Sequence, residues 1–336
     1  MNDLKKVIIL LSTHNGEKYL SELLRSLQRQ SFQNWILAVR DDGSQDSTLK
    51  ILKTTAQTDP RIIIHEAIPM NIGIVKSYAL LLNSSAQQAD YVFFCDQDDI
   101  WNEKKIETFV EKFSELEKLH PQQPILLHSD LELIDENKNR LLTSFREAAK
   151  LPTSLKSSWS ILARNYATGC AMAMNKKLAA LACPMSRESL MHDWWLTALA
   201  SFVGKIEFIN QPLTQYRQHS ANASGAMSEF GIKNKLKHRL FNSNYFRKLM
   251  IGRFKQSLAL ETHLRAMNFE EHFKNLHSYH TSIASGRISA LIVSYKRGIN
   301  LYSPLRTFFY FYLLFVYQPR IAKLIRLHNS LQRLCQ

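Results

Sequence analysis

The sequence predicts an α/β fold, a mostly parallel Rossmann-like sheet with flanking helices, followed by a basic, mainly helical C-terminal segment. Three observations carry this. Short apolar runs alternate with helical patterns through the first hundred residues, the signature of a parallel sheet covered by helices. Polar turns rich in Asp and Gly follow the apolar runs directly. Charge changes character near residue 228: the stretch before it has 25 basic and 25 acidic residues, the stretch after it 18 and 4.

VIILLST (7–13) reads as a buried strand, and YLSELLRSLQRQ (19–30) repeats its apolar positions every three to four residues, as a helix packed on a sheet does. WILAVRDDGS (35–44) is a second strand ending in a turn. A helix over about 47–55, a strand RIIIHE (61–66), a helix over about 74–84 and the strand YVFFC (91–95) complete four βα-type units. Right-handed crossovers gather the loops that follow these strands along one sheet edge, where ligands bind in open α/β sheets. Residues 124–218 are less regular, with an apolar run ILLHSD (125–130), a loop ATGCAMAM (167–174) and MHDWWLTALASF (191–202). The expected division is a domain over 1–228, whose halves over about 1–100 and 101–228 hold nucleotide and acceptor, and a helical region over 229–336.

Composition excludes several classes. A hydrophobic content of 45% argues for a folded chain. Cys95, Cys170, Cys183 and Cys335 have neither zinc-site spacing nor the density of a disulfide scaffold, which fits a reducing cytosol. The apolar run at 7–11 is too short for a signal-peptide core, so export by that route is not expected. RTFFYFYLLFVY (306–317) falls short of the ~20 residues a helix needs to span a bilayer.

Asp96-Gln97-Asp98-Asp99 places three carboxylates in one loop after a buried strand, where their repulsion calls for a cation; hard oxygen ligands suit Mg²⁺ or Mn²⁺. A solvated acidic turn capping a helix that begins near Asn102 is the plainer reading of such a motif alone. Its position after the fourth strand favours the metal. Asp41-Asp42-Gly43-Ser44 has the residues a turn needs, yet its Asp42 could also accept the ring N–H of a uracil or thymine base. Ser12-Thr13-His14-Asn15-Gly16 opens the first βα turn, where backbone N–H groups make an anion site, and it lacks both the dinucleotide and the P-loop glycine patterns. His14 reads as a turn residue. His192-Asp193-Trp194-Trp195 combines a candidate general base with indole surface for a sugar, or equally is a helix start followed by core tryptophans. Tyr216-Arg217-Gln218-His219 offers donors for phosphate and a ring nitrogen for the metal.

Taken in order, STHNGEKYL, AVRDDGSQDS, FFCDQDDIW, HSDLELID, ATGCAMAM, MHDWWL and YRQHSANASG resemble family 2 glycosyltransferases of the GT-A fold, most closely bacterial rhamnosyltransferase-type members, over residues 5–225. The resemblance implies that Asp42 binds the nucleobase, that Asp96 and Asp98 bind a metal-diphosphate, and that Asp193 is the catalytic base of an inverting displacement. Donor contacts are expected at Thr13, Asn15, Glu17, Asp42, Asn71, Lys76, Asp96 and Gln97. Metal ligation is expected at Asp96, Asp98 and His219, with Asp99 capping the next helix. Acceptor contacts are expected at Trp101, Asp130, Gly169, His192, Trp194 and Arg217, and Arg217 or Lys76 assists the leaving diphosphate.

The implied reaction moves a hexose or deoxyhexose, rhamnose among them, from a UDP- or dTDP-sugar to a cell-surface glycan or lipid-linked acceptor. A sugar nucleotidyltransferase ranks behind it, because STHNGEKYL replaces the Gly-rich, Arg-containing loop of those enzymes. A non-enzymatic protein binding nucleic acid or membrane through the tail is a different class. Arg306, Arg320, Lys323 and Arg326 flanking the aromatic run suit an anionic membrane surface better than a specific nucleic acid. The expectation is a cytoplasmic chain, peripheral on the inner face of the cytoplasmic membrane, with packing as a helical core or homodimer face as the competing use of that run.

Overall fold

The structure, a computed structural model, describes residues 5–65, 70–155, 157–219 and 243–334. The expected boundary at 228/229, the last residues of YRQHSANASG, the end of the 61–66 strand and Cys335 lie outside the described residues.

The four expected strands form: β1 (Val7–Thr13), β2 (Trp35–Asp41), β3 (Ile62–Ile64) and β4 (Tyr91–Cys95). They run parallel in the order β3-β2-β1-β4, joined by helices α1 (Leu20–Gln28), α2 (Thr48–Thr58) and α3 (Ile74–Ser85). β1 is apolar at every position from Val7 to Leu11 because both of its faces are covered. Ile8 and Leu10 pack with Leu81 and Leu82 of α3, while Val7, Ile9 and Leu11 pack with Leu20, Leu23 and Leu27 of α1. Each such fully buried side chain contributes about 1.5–3 kcal/mol.

The second half completes the sheet. β5 (Ile100–Trp101) leads into α4 (Lys105–Leu119), then β6 (Ile125–Ile134), β7 (Arg140–Leu142), α5 (Phe145–Ala149) and α6 (Ser158–Ala163). The stretch 167–174, expected as a loop, contains a 3-10 turn (Gly169–Ala171) and the start of β8 (Met172–Asn175). α7 (Lys176–Ala182) and α8 (His192–Val203) follow, and then the long β9 (Lys205–Arg217). The sheet extends as β4-β8-β6-β9-β5, with β7 hairpinned onto β6; β8 is antiparallel to both neighbours, and β6 and β9 are parallel. The sheet is therefore mixed beyond β4.

Four helices end the chain: α9 (Ser243–Ala266), α10 (Glu270–Ser285), α11 (Arg287–Lys296) and α12 (Pro304–Leu334). They pack onto the sheet layer rather than standing apart, since one continuous apolar cluster runs from Ile8 and Phe94 through Trp195 and Leu199 of α8 to Phe254, Tyr279, Leu314 and Ile325. The aromatic run 306–317 is divided between two environments. Tyr310, Leu313, Leu314 and Tyr317 are buried in the bundle, whereas Phe308, Tyr312, Phe315 and Val316 are exposed. Among the described residues no helix is long and apolar enough to cross a membrane.

Candidate active site

Parallel register aligns the ends of the first strands: Thr13 lies beside Asp41, and Leu11 beside Cys95. The loops after β1, β2 and β4 therefore open on one edge, where they line a cleft of about 610 Å³ with Thr168, Gly169 and the start of α8.

The loops are tied to each other before any ligand is considered. Thr13 Oγ1 donates to Asp41 Oδ1 (2.8 Å), the Asn15 N–H to Ser44 Oγ (2.9 Å), and the Gln45 N–H to Asn15 Oδ1 (2.8 Å). Gln97 clamps the first loop to the acidic one, accepting from the His14 N–H (2.8 Å) and donating to the His14 carbonyl (3.0 Å). A Cβ at position 16 would meet Gln97 Oε1 at 2.5 Å, so this clamp requires Gly16.

Asp42 is buried. Its Oδ1 accepts from Arg40 and from the Ile72 N–H (2.8 Å), and its Oδ2 from the Gly73 N–H (2.8 Å). Burial alone would raise its pKa, but these N–H groups and the Arg40 charge outweigh that and hold it below the usual carboxylate range. Asp42 thus fixes the loop that presents Asn71 to the cleft.

Burial, then the charges of Asp98 and Asp193, push Asp96 up to about 7. Asp98 Oδ2 lies 2.8 Å from His219 Nε2, delivered by the end of β9. Asp99 does not cap α4: it is fully buried, with Oδ1 accepting from the Arg217 N–H (3.3 Å), and burial keeps its pKa well above the usual range. The residue before α4 makes no side-chain cap; Asn102 Oδ1 accepts the Lys104 N–H instead. Ligand atoms of Asp96, Asp99 and Cys170 also come within 4.8 Å of one another. Asp99 and Cys170 are both fully buried with raised pKa values, so that group suits a cation less well than Asp96, Asp98 and His219, which line the cleft.

Asp193, second residue of α8, faces the same cleft. Its Oδ2 accepts from the Gly169 N–H (3.1 Å) and its Oδ1 from the Trp194 N–H (2.6 Å), and burial raises its pKa to about 6. Beside it, His192 is buried with neither ring nitrogen partnered among the described residues; its ring is held against Tyr78 (centroids 4.1 Å apart) and Phe94 (5.2 Å). Burial lowers its pKa to about 3, so the ring is neutral. A Cβ on residue 169 would sit 2.6 Å from His192 Nε2, which explains Gly169.

Several expected contacts are not at the cleft. Trp101 lies 2% exposed in the core beneath the sheet, with the Lys105 ammonium 3.5 Å from its ring center. Trp194 turns its indole N–H to the Ile161 carbonyl and packs among the helices, since the α8 turn that points Asp193 into the cleft points the next residue away. Arg217 is fully buried and braces the acidic loop, donating to the carbonyls of Asp98 and Glu136 (3.0 Å each) and to Glu22 (2.6 Å). It has no reach to a leaving diphosphate. Asp130 accepts from Ser144 Oγ and the Leu131 and Arg146 N–H groups, beside a separate cavity of about 20 Å³. Lys76 is exposed on α3, and Glu17 accepts from the Ser47 N–H; neither lines the cleft.

Sequence reasoning missed Tyr78, Glu136 and Thr168, while Tyr216, read as a donor for phosphate, does line the cleft. The Tyr78 hydroxyl donates to the Cys95 carbonyl (2.6 Å), supporting the acidic loop from below, while Glu136 and Thr168 line the cleft. Tyr78 shares the buried face of α3 with Leu81 and Leu82, which masks it as core.

A carboxylate-lined cleft at the carboxyl edge of a parallel strand set, extended by a mixed half-sheet, defines the GT-A class of transferase. The glycosyl transferase family 2 model matches residues 8–180, and the chain belongs to that family. It is 25% identical over 248 residues to the dTDP-rhamnosyl transferase RfbG of Shigella flexneri, covering 71% of this chain and 81% of that one. A glycosyltransferase of Nostoc sp. of unassigned activity is 24% identical over 240 residues, 68% of this chain and 71% of its own. The fold resembles S. aureus TarS 1–349 in complex with UDP-GlcNAc, with a TM-score of 0.53, 17% identity, and 98% and 92% of the two chains covered.

Proposed function

We propose that this glycosyltransferase moves a hexose or deoxyhexose from a UDP- or dTDP-sugar to a cell-surface glycan or lipid-linked acceptor, with inversion and with Mg²⁺ or Mn²⁺. The observation that carries it is the convergence of Asp42, the Asp96/Asp98 pair and Asp193 on one cleft. The dTDP-rhamnosyl transferase among the relatives favours a deoxyhexose donor.

In this reading Asp42 and Asn71 receive the base, and the first loop faces the diphosphate. Asp96, Asp98 and His219 fit a divalent cation, because all three line the cleft, His219 Nε2 lies 2.8 Å from Asp98 Oδ2, and burial with the charges of Asp98 and Asp193 pushes Asp96 toward neutrality. When bound, that ion supplies charge to the departing diphosphate oxygen. Asp193 takes the proton of the acceptor hydroxyl, whose oxygen bonds to the anomeric carbon as the bond from that carbon to the diphosphate breaks with its electron pair. The Gly169 and Trp194 N–H groups hold the Asp193 carboxylate in one orientation for this transfer. A single displacement of this kind inverts the anomeric carbon. Attachment to the inner face of the cytoplasmic membrane through the C-terminal helices belongs to the same reading, with homodimerisation through them as its competitor.

The test is transfer or hydrolysis across a panel of UDP- and dTDP-sugars with Mg²⁺ or Mn²⁺. Activity is expected to vanish in EDTA and to fall at least 100-fold in Asp98→Ala. Full activity under either condition would sink the proposal.

A further inference from the structure

We infer that the hairpin of α11 and α12 is a docking face for an anionic lipid bilayer, an assignment that rests on the membrane-attached reading above and gives it a surface. Twelve of the seventeen large apolar side chains exposed among the described residues lie in 243–334. On α11 they are Ile288, Ile292 and Tyr295, spaced as one helix face; on α12 the series begins Leu305, Phe308 and Tyr312, again one face. The two faces adjoin. Residues 297–303 turn the chain between the helices, and Arg287, at the far end of α11, lies over the Phe315 ring of α12 at 5.1 Å. A free apolar surface of this extent, several of its members more than 50% exposed, marks an interaction site rather than scattered exposure.

Charge selects the occupant. From Arg287 to Leu334 the chain carries eight Lys and Arg residues and no Asp or Glu. A second copy seated on this face would set basic surface against basic surface, which repels. Nucleic acid would answer the charge and leave the Ile, Leu and Phe side chains against water or phosphate. A bilayer with anionic headgroups satisfies both, taking the apolar side chains into the headgroup and acyl boundary while Arg and Lys reach phosphate. Docking is peripheral, since no described helix spans.

The experiment is vesicle flotation of the full-length protein with phosphatidylcholine alone and with phosphatidylglycerol mixed in. Binding is expected to be at least tenfold tighter to the anionic vesicles, and to fall at least tenfold in Ile292→Ser/Phe308→Ser, whose sites are exposed so that helicity by circular dichroism stays unchanged. Arg306→Glu/Arg320→Glu is expected to remove the preference for anionic lipid. Equal affinity for both vesicles, or none for either, overturns the assignment. So does a dimer in sedimentation that the double Ser substitution dissociates, or retention on duplex DNA in place of vesicles. Asp193→Asn is expected to float as the unmodified chain does, so failure of the catalytic reading and failure of this one separate.

Discussion

At the residue scale, the cleft holds carboxylates in unequal environments. Asp42 is held ionised by N–H donors, whereas Asp193 is raised to about 6 by burial. A base with that value is still ionised near neutrality and binds a proton more strongly than a solvent-exposed carboxylate. Raising the pKa favours the protonated form, so activity is expected to fall as pH drops through about 6. Asp193→Asn, which keeps the shape, is expected to lower kcat by 10²- to 10⁴-fold and to abolish that limb; a pH profile of both proteins checks it. His192 yields a second prediction. A neutral imidazole has one donor and one acceptor, and neither is used among the described residues, while the rings of Tyr78 and Phe94 packed against it prevent it turning elsewhere. Nε2 lies beside Gly169 at the cleft wall, and a sugar hydroxyl seated there would give that nitrogen its partner. His192→Phe should preserve stacking and folding yet cost at least tenfold in kcat/KM, and the loss should disappear for the deoxy analogue lacking the contacted hydroxyl, because a buried polar site discriminates against a missing partner.

At the element scale, α9 and α10 are joined by a buried carboxylate. Glu261 accepts from His280 Nδ1 (2.6 Å) and His277 Nδ1 (2.8 Å), with Arg265 at 3.6 Å and His328 of α12 contributing at longer range; His280 Nε2 in turn meets Ser257 Oγ at 2.8 Å. Burial would raise the Glu261 pKa, but the His partners outweigh it and the net shift is downward from 4.5. A depressed folded-state pKa contributes stability present above the unfolded value and lost as pH falls through the folded one. Thermal stability is therefore expected to drop below about pH 4.5, and Glu261→Gln to flatten that part of the profile, as melting curves between pH 3 and 7 would show.

At the scale of the whole molecule, the basic segment and the sheet share one apolar cluster, from Ile8 to Ile325. Heating is accordingly expected to give a single calorimetric transition, and a chain ending at 242 to lose its fold, because Trp195 and Leu199 of α8 would lose their cover. Two separate transitions, or a folded truncation, would show instead that the segment is an independent unit.

The first four strands and three helices were legible in the sequence because fully buried strands are continuous apolar runs and covering helices repeat every three to four residues. So was the grouping of Asp42, Asp96, Asp98 and Asp193, since each sits in the turn just after a strand or in the first turn of a helix. What the tertiary structure decided is where long-range pairing reaches. β9 crosses from Lys205 to Arg217 to bring Tyr216 and His219 to the cleft, and it also buries Arg217 against Glu22, nearly two hundred residues away. Trp101, Trp194 and Arg217 have residue types suited to sugars and phosphates, and only their surroundings show them to be core and brace. The motif Asp96-Gln97-Asp98-Asp99, three acidic residues in four positions, has the same composition whichever way it folds; burial and the neighbours Arg217 and His219 divide it into two cleft-facing carboxylates and one that stays inside.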